Sequence, residues 1–155
     1  MLVSRRLPFK GIPLIHIDVD YSSSQFEAVM APRTILVADE DIDTRIILRA
    51  LLERHGYRIV DAATPQEAMA AAAQDISLVI MNHPIPVGPA TTLAGWLRAQ
   101  PQTRDVPIIN LTSRTIPHFA EDAARQGVNI TLAKPLDVHR LTELVHQLAG
   151  QLVAH

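Results

Sequence analysis

From residue 34 onward, the chain alternates short runs of β-branched residues with longer segments whose apolar residues recur at helical spacing. The strand-like runs cover 35–38, 57–61, 77–81, 106–111 and 130–132, and the helical segments cover 42–55, 65–74, 91–100, 115–126 and 138 onward. Five strand–helix pairs can cover both faces of a sheet only when the strands are parallel and the crossovers are right-handed. The pattern therefore predicts a doubly wound, three-layer α/β/α sandwich, with functional residues at the carboxyl ends of the strands.

Several predicted helices carry explicit end signals. Thr64, Pro65 and Glu67 form a capping sequence, because a threonine oxygen accepts from a backbone N–H and proline fits the first helical position. Gly56 closes the first helix, and Asp137 caps the last one. These signals locate the boundaries between the predicted helices and their neighbouring strands.

The composition is that of a globular chain. Of its 155 residues, 48% are hydrophobic and 19% are charged, which provides enough apolar surface for one buried core. The formal net charge of −2 gives no general attraction for phosphate backbones, so we expect no direct nucleic-acid partner. Cysteine is absent, which excludes disulfides and thiol chemistry and fits a reducing cytoplasm.

Export and membrane signals are weak. Arg5 and Arg6 could begin a signal peptide, but Pro8 and Lys10 interrupt the apolar stretch behind them. The longest charge-free run, 76–97, contains several prolines near its centre and is interpreted as a buried strand, a loop and a helix start. We therefore expect a soluble, cytoplasmic protein without a membrane partner.

Residues 1–32 stand apart from the regular alternation. Residues 12–19 could form a strand and 22–30 a short helix, but neither pattern is strong. The segment is either an extension without function, or an arm that covers a surface or pairs with another subunit. We predict an N-terminal extension over 1–32 and one domain over 33–153.

Polar residues close or follow four of the predicted strands. The set comprises Asp39 and Glu40 after the first strand, Asn82 after the third, Thr112 after the fourth and Lys134 after the fifth. Since the carboxyl ends of parallel strands meet at one edge of the sheet, we expect these side chains to converge there.

The alternation and these residues resemble the receiver domain of two-component response regulators, over about 33–153. In that family, an acidic pair after the first strand binds a divalent cation, and the third strand ends in a phospho-accepting aspartate with proline four residues on. The fourth strand ends in threonine or serine and the fifth in Lys-Pro. Thr112 and Lys134 stand 30 and 52 residues after Asn82, as that pattern requires. The resemblance implies a CheY-like, flavodoxin-like sheet with strand order 2-1-3-4-5.

The chain departs from the family at the phospho-acceptor itself. Asn82 directly follows the third strand and Pro86 comes four residues later, so the acceptor position falls on Asn82. An acyl phosphate needs a carboxylate oxygen as nucleophile, whereas an amide oxygen is uncharged and weakly nucleophilic. Losing one acidic group also weakens a Mg²⁺ site, so Asp39 and Glu40 should bind Mg²⁺ weakly or not at all.

Each of these residues also has a purely structural interpretation. Asp39 and Glu40 could be acids that favour a helix N-terminus. Lys134 could form a salt bridge with either of them as a structural cation. His83, beside Asn82, could in principle replace the phospho-acceptor or ligate a metal, although a single histidine in a loop rarely does either.

The resemblance, with asparagine at the acceptor, implies a stand-alone pseudo-receiver that signals by protein–protein interaction and is not an enzyme. Its partner would be a histidine kinase or an output protein, with a homodimer as a further option. In the family, the fourth helix, fifth strand and last helix form the usual docking and dimer face. Here that interaction face would comprise Arg114, His118, Arg125, Thr131 and His139.

Two alternative functions remain at this point. One is a working receiver that accepts a phosphoryl group with Mg²⁺, and Asn82 is the residue that separates it from the pseudo-receiver. The other is an enzyme or ligand-binding protein on an unrelated doubly wound fold. That alternative lacks a recognisable chemistry, because the sequence contains no nucleotide-binding glycine loop and no nucleophile elbow.

Overall fold

The computed structural model describes residues 2–7, 15–20, 32–114 and 117–149, within two compact units, Met1–Pro32 and Arg33–His155. In the first unit, β1 (Leu2–Leu7) and β2 (Ile15–Asp20) pair antiparallel, with Leu2 opposite Asp20. The sequence signal for a strand within 12–19 corresponds to β2. β1 was not predicted, because its two arginines interrupt the apolar pattern, and the helix predicted for 22–30 lies outside the described residues.

The second unit contains a five-stranded parallel sheet in which every predicted strand is present. Its strands are β3 (Thr34–Ala38), β4 (Arg58–Ala62), β5 (Leu78–Met81), β6 (Ile108–Thr112) and β7 (Ile130–Ala133). Their order across the sheet is β4-β3-β5-β6-β7, and every neighbouring pair is parallel. Counted within this sheet, the order is 2-1-3-4-5, which confirms the predicted fold.

Four helices connect these strands, and a fifth follows β7. They are α1 (Ile42–Glu53), α2 (Pro65–Ala71), α3 (Leu93–Ala99), α4 (Pro117–Arg125) and α5 (Val138–Leu148). α1 to α4 end one to three residues earlier than their sequence patterns suggested, and α3 also begins later, at Leu93, because Thr92 is its N-cap. Residues 115–116, where the fourth helix was predicted to begin, lie outside the described residues. Gly56 adopts a φ of 89°, so the turn that follows α1 relies on the conformational freedom of glycine. Within the described part of the chain, none of the helices is long and apolar enough to cross a membrane.

The helix caps lie where the sequence predicts them. The Thr64 side chain accepts a hydrogen bond from the Glu67 backbone N–H at 3.1 Å, and Pro65 occupies the first position of α2. Asp137 accepts from the Arg140 N–H at 3.1 Å and caps α5. These bonds satisfy backbone donors that a helix N-terminus leaves without partners.

Two apolar layers enclose the sheet, one on each face. The first contains Leu36, Ala38, Val79, Met81 and Ile108 together with residues of α2 and α3. The second contains Ile35, Val37, Leu78, Ile80, Ile109 and Leu111 together with residues of α1 and α5. Because successive residues of β3, β5 and β6 point to opposite faces, both sets are buried, which explains the continuous apolar runs in the sequence.

A half-buried guanidinium joins α3 to the far end of the sheet. Arg98 donates to the carbonyl oxygens of Val106 at 2.6 Å and Gly127 at 2.7 Å, and to Asn129 Oδ1 at 2.8 Å. Desolvation lowers the pKa of Arg98, although the nearby Asp105 opposes that effect. Gly127 has a φ of 103°, and a Cβ there would lie 2.6 Å from Arg98 Cγ, so this turn requires glycine.

We predict that residues 1–29 are dispensable for folding of the second unit, because its five strands all begin at or after Thr34. A chain truncated to begin at Met30 should unfold at the same urea concentration as the full chain. Fluorescence of the single tryptophan, Trp96, monitors the unfolding. An insoluble product, or one without cooperative unfolding, would show that the N-terminal segment belongs to the core.

Candidate functional site

The carboxyl ends of the parallel strands bring the predicted polar residues to one edge of the sheet. Asp39 follows β3 and Asn82 follows β5, while Thr112 is the last residue of β6 and Lys134 directly follows β7. Backbone bonds hold neighbouring ends in register: the Asn82 N–H donates to the Ala38 carbonyl at 3.2 Å, and the Lys134 N–H donates to the Thr112 carbonyl at 2.7 Å. The predicted convergence is therefore present.

Asp39 is the buried acid of this edge. Its side chain is 3% exposed, and Oδ1 accepts the Asp41 backbone N–H at 2.9 Å. Its other oxygen, Oδ2, lies 3.8 Å from Nζ of Lys134. A buried carboxylate needs such partners, because an isolated charge in the interior is costly. The predicted ion pair of Lys134 is thus formed with Asp39, whereas Glu40 is exposed.

The N-cap of α1 is Asp41, two residues beyond Asp39. The Asp41 carboxylate accepts from the Thr44 hydroxyl at 2.6 Å and from the backbone N–H groups of Asp43 and Thr44. The Thr44 hydroxyl bond is the largest cause that holds the pKa of Asp41 below its ordinary value. Helix capping therefore accounts for Asp41 and does not account for Asp39.

Arg45 was missed by the sequence analysis, although it shapes the same loop. Its Nη1 donates to the carbonyl oxygens of Asp39 at 2.7 Å and Glu40 at 3.1 Å, and its Nε lies 3.6 Å from Oδ2 of Asp61. Arg45 thereby fixes the backbone of the acidic pair and ties it to the end of β4. The sequence did contain a signal for this contact: Arg45 lies at the start of α1, and Asp61 lies near the end of the next strand, β4.

A cleft of about 360 Å³ opens beside the acidic pair. Its wall is formed by Ala38, Asp39, Glu40, Ala62, Ala63, Thr64, Pro65, Asn82, Pro84, Ile85 and Pro86. The polar groups in it are two carboxylates, one hydroxyl and the amide of Asn82. One carboxylate is already neutralised by Lys134 and the third oxygen donor is uncharged, which is a poor set for Mg²⁺. Among the described residues, no group of three or more acids or histidines is arranged to hold a metal.

Neither Thr112 nor His83 lines this cleft. The Thr112 hydroxyl accepts the Arg114 N–H at 3.1 Å. His83 is 3% exposed and its backbone N–H donates to Oδ1 of Asn110, a residue of β6 that is fully buried. Burial lowers the pKa of His83 and favours its neutral ring. His83 does not line the cleft, so its position argues against a replacement phospho-acceptor or a metal ligand.

Four residues of the predicted interaction face lie on α4, β7 and α5, and Arg114 lies in the loop after β6. Arg125 of α4 forms a 2.9 Å ion pair with Asp122, and His139 of α5 lies 3.0 Å from Glu143. Thr131 of β7 is half-buried. Arg114 is exposed just after β6, and His118 belongs to α4, although its side chain lies outside the described part of the structure.

The response regulator receiver domain family matches residues 35–146 of this chain. The chain belongs to that family. The match confirms the predicted family together with the fold. Receiver domains are signalling modules of two-component systems. The match begins within β3 and ends within α5, and it therefore includes every strand of the parallel sheet.

Known proteins similar to this receiver domain agree with that assignment. A chemotaxis protein of Vibrio cholerae, CheY4, is 26% identical and has a TM-score of 0.69, over 76% of this chain and 99% of its own. The receiver domain of the sensor histidine kinase PA1611 from Pseudomonas aeruginosa, with a magnesium ion in its active site cleft, is 28% identical with a TM-score of 0.67, over 77% and 99%. An uncharacterised 14.6 kDa protein of Leptolyngbya boryana is 33% identical, over 76% of this chain and 91% of its own.

We predict that Lys134→Ala lowers the free energy of unfolding by at least about 1 kcal/mol at neutral pH, because it leaves the buried Asp39 carboxylate without its cation. Chemical denaturation at neutral pH measures the difference. Lys134→Arg, which keeps the charge, is the matched control and should lose less. Unchanged stability of Lys134→Ala would contradict the pairing.

A pH dependence of stability follows from the lowered pKa of His83. The unfolded chain takes up a proton near the ordinary value of 6.5, whereas the folded chain resists it. This contribution to stability is complete above pH 6.5 and is lost as the pH falls toward the lower folded-state pKa.

We therefore expect His83→Leu to remove part of the acid destabilisation between pH 6.5 and 5, measured by thermal unfolding. His139→Leu is the control, because it makes the same substitution at an exposed histidine of α5. Equal acid sensitivity of wild type and His83→Leu would contradict the expectation.

Proposed function

We propose that this chain is a pseudo-receiver, a signalling module that binds partner proteins without accepting a phosphoryl group at Asn82. The observation that supports the proposal is an uncharged amide in the cleft wall, where an acyl phosphate would need a carboxylate. In such a transfer, a carboxylate oxygen bonds to phosphorus while the bond to the donor's leaving group breaks. The amide oxygen of Asn82 carries no negative charge to drive that attack.

The charge balance of the site supports the same proposal. Lys134 and Asp39 neutralise one another, and Arg45 holds the loop carbonyls in place. The edge of the sheet is therefore stabilised by the chain's own cations. Neither interaction needs a bound metal ion or a phosphoryl group, so the site can persist as structure after its chemistry is lost.

Magnesium is the cofactor that the family suggests. The PA1611 receiver domain holds a magnesium ion in its cleft. Here the donors are Asp39, Glu40 and Asn82, and the ammonium of Lys134 competes with any cation for Asp39. We propose that this chain binds Mg²⁺ weakly or not at all. It would then perform no catalysis of its own.

The partner is a protein of the same signalling class, either a histidine kinase or an output protein. The similarity to a receiver domain that belongs to a sensor histidine kinase supports this class. The interaction face defined above is the proposed docking surface, and Arg114 and His139 are exposed there. Because the acceptor is substituted, docking should not depend on a phosphodonor.

A Mg²⁺-dependent phospho-accepting receiver is the second candidate. One observation favours it: Asp39, Thr112 and Lys134 are all retained at the edge of the sheet. Only the group at position 82 separates the two functions, so a single substitution can distinguish them.

The test is incubation with acetyl phosphate and Mg²⁺ followed by intact mass measurement. We predict no stable gain of mass for the wild type, and a gain of one phosphoryl group for Asn82→Asp. Asn129→Asp is the matched control: it makes the same chemical change at a residue outside the cleft, whose Oδ1 already accepts hydrogen bonds and can do so as a carboxylate. Stoichiometric phosphate on the wild type, lost on mild base treatment, would contradict the proposal.

A further inference from the structure

The outer face of α1 carries an unusual concentration of exposed aliphatic residues. Ile42, Ile46 and Ile47 are 58%, 58% and 52% exposed, and they are three of the four large hydrophobic side chains exposed in the described part of the chain. Ala50, one turn beyond Ile46, is exposed as well. We refer to these four residues as the α1 stripe. Single exposed apolar residues are common, whereas a contiguous group marks a contact surface.

The stripe is not a by-product of core packing. The inner face of α1 buries Thr44, Leu48 and Leu52 against the sheet, at the four-residue spacing of one helix side. The stripe lies on the opposite side. α1 is therefore apolar on both sides, and within the described part of the second unit only one side is covered.

An unpaired charge stands at each end of the stripe. Asp43 is exposed in the first turn of α1, and Arg54 is exposed at its C-cap. Neither side chain makes a hydrogen bond or ion pair with another described residue. The neighbouring Arg49, by contrast, is bound by both Glu53 and Asp61. The stripe thus has a negative end and a positive end, about 16 Å apart along the helix.

We propose that two copies of this chain associate through the α1 stripe, with their α1 helices antiparallel. A two-fold axis across the middle of α1 sets Asp43 of each copy beside Arg54 of the other, and Ile47 beside Ala50. The charges are complementary to a second copy, because the two free charges of one helix pair with those of the other. Antiparallel helix dipoles also attract.

The size of the stripe sets the strength of the association. A stable interface buries about 800 Å² on each partner, and a single helix face of four short side chains provides much less. The dimer is therefore weak and reversible, and it forms at high protein concentration. Since two ion pairs border it, added salt weakens it further.

Sedimentation equilibrium of the full chain over a wide concentration range tests this contact. We expect the average mass to rise with concentration in the wild type, and to remain that of a monomer in Ile46→Asp. Val138→Asp is the matched control, because Val138 of α5 is the fourth exposed large hydrophobic side chain and lies outside the stripe. It should dimerise like the wild type. Ala50→Glu serves as a second variant in the stripe.

Charge reversal identifies the second copy as the occupant. Asp43→Arg alone and Arg54→Asp alone should each weaken the association about tenfold or more, because each places like charges opposite one another at both ends. The double variant restores opposite charges and should recover the wild-type association. A different protein on the stripe would not respond in this way.

Three results would overturn the proposal. One is a wild type that is monomeric at every concentration, which would show that a second copy does not bind the α1 stripe. The second is a double charge variant as weak as the single ones. The third is an equal loss of association in Val138→Asp, which would place the contact elsewhere. Far-UV circular dichroism confirms that each variant is folded.

Discussion

Burial of both faces of the parallel sheet is the constraint on which this structure depends. Because β3, β5 and β6 lie between two helical layers, their interiors are almost entirely aliphatic, and polar groups are displaced to the strand ends. Parallel strands end at one edge, so Asp39, Asn82, Thr112 and Lys134 gather there although they are distant in sequence. The candidate site is thus a direct consequence of the strand order, and its chemistry is set by the few side chains that appear at this edge.

Electrostatics then decides what that edge can do. The Asp39 carboxylate is buried and needs a cation, and Lys134 supplies one from the end of β7. With an amide at position 82, the two charges balance, and the site needs neither a metal nor a phosphoryl group to be stable. Under the pseudo-receiver proposal, the arrangement keeps the family's scaffold without the nucleophile. Signalling would then pass through protein surfaces, such as the interaction face, the α1 stripe or both.

Local sequence predicted the elements with strong end signals and missed contacts that depend on tertiary structure. The caps at Thr64 and Asp137 were predictable, because a cap is formed by residues a few positions apart. The pair of Lys134 with Asp39 required the family's strand order as well. Arg45 was missed because its carbonyl partners come into reach only when α1 packs beside the acidic loop. β1 was missed because two arginines obscure its alternation.

We propose that the amide at position 82 alone separates this site from a phospho-accepting one. Titration of wild type and Asn82→Asp with Mg²⁺ by calorimetry tests it most directly, since a third carboxylate beside Asp39 and Glu40 completes a set of charged oxygen donors. We predict that Mg²⁺ binds Asn82→Asp at least tenfold more tightly than the wild type or Asn129→Asp. Equal affinity of all three proteins would contradict it.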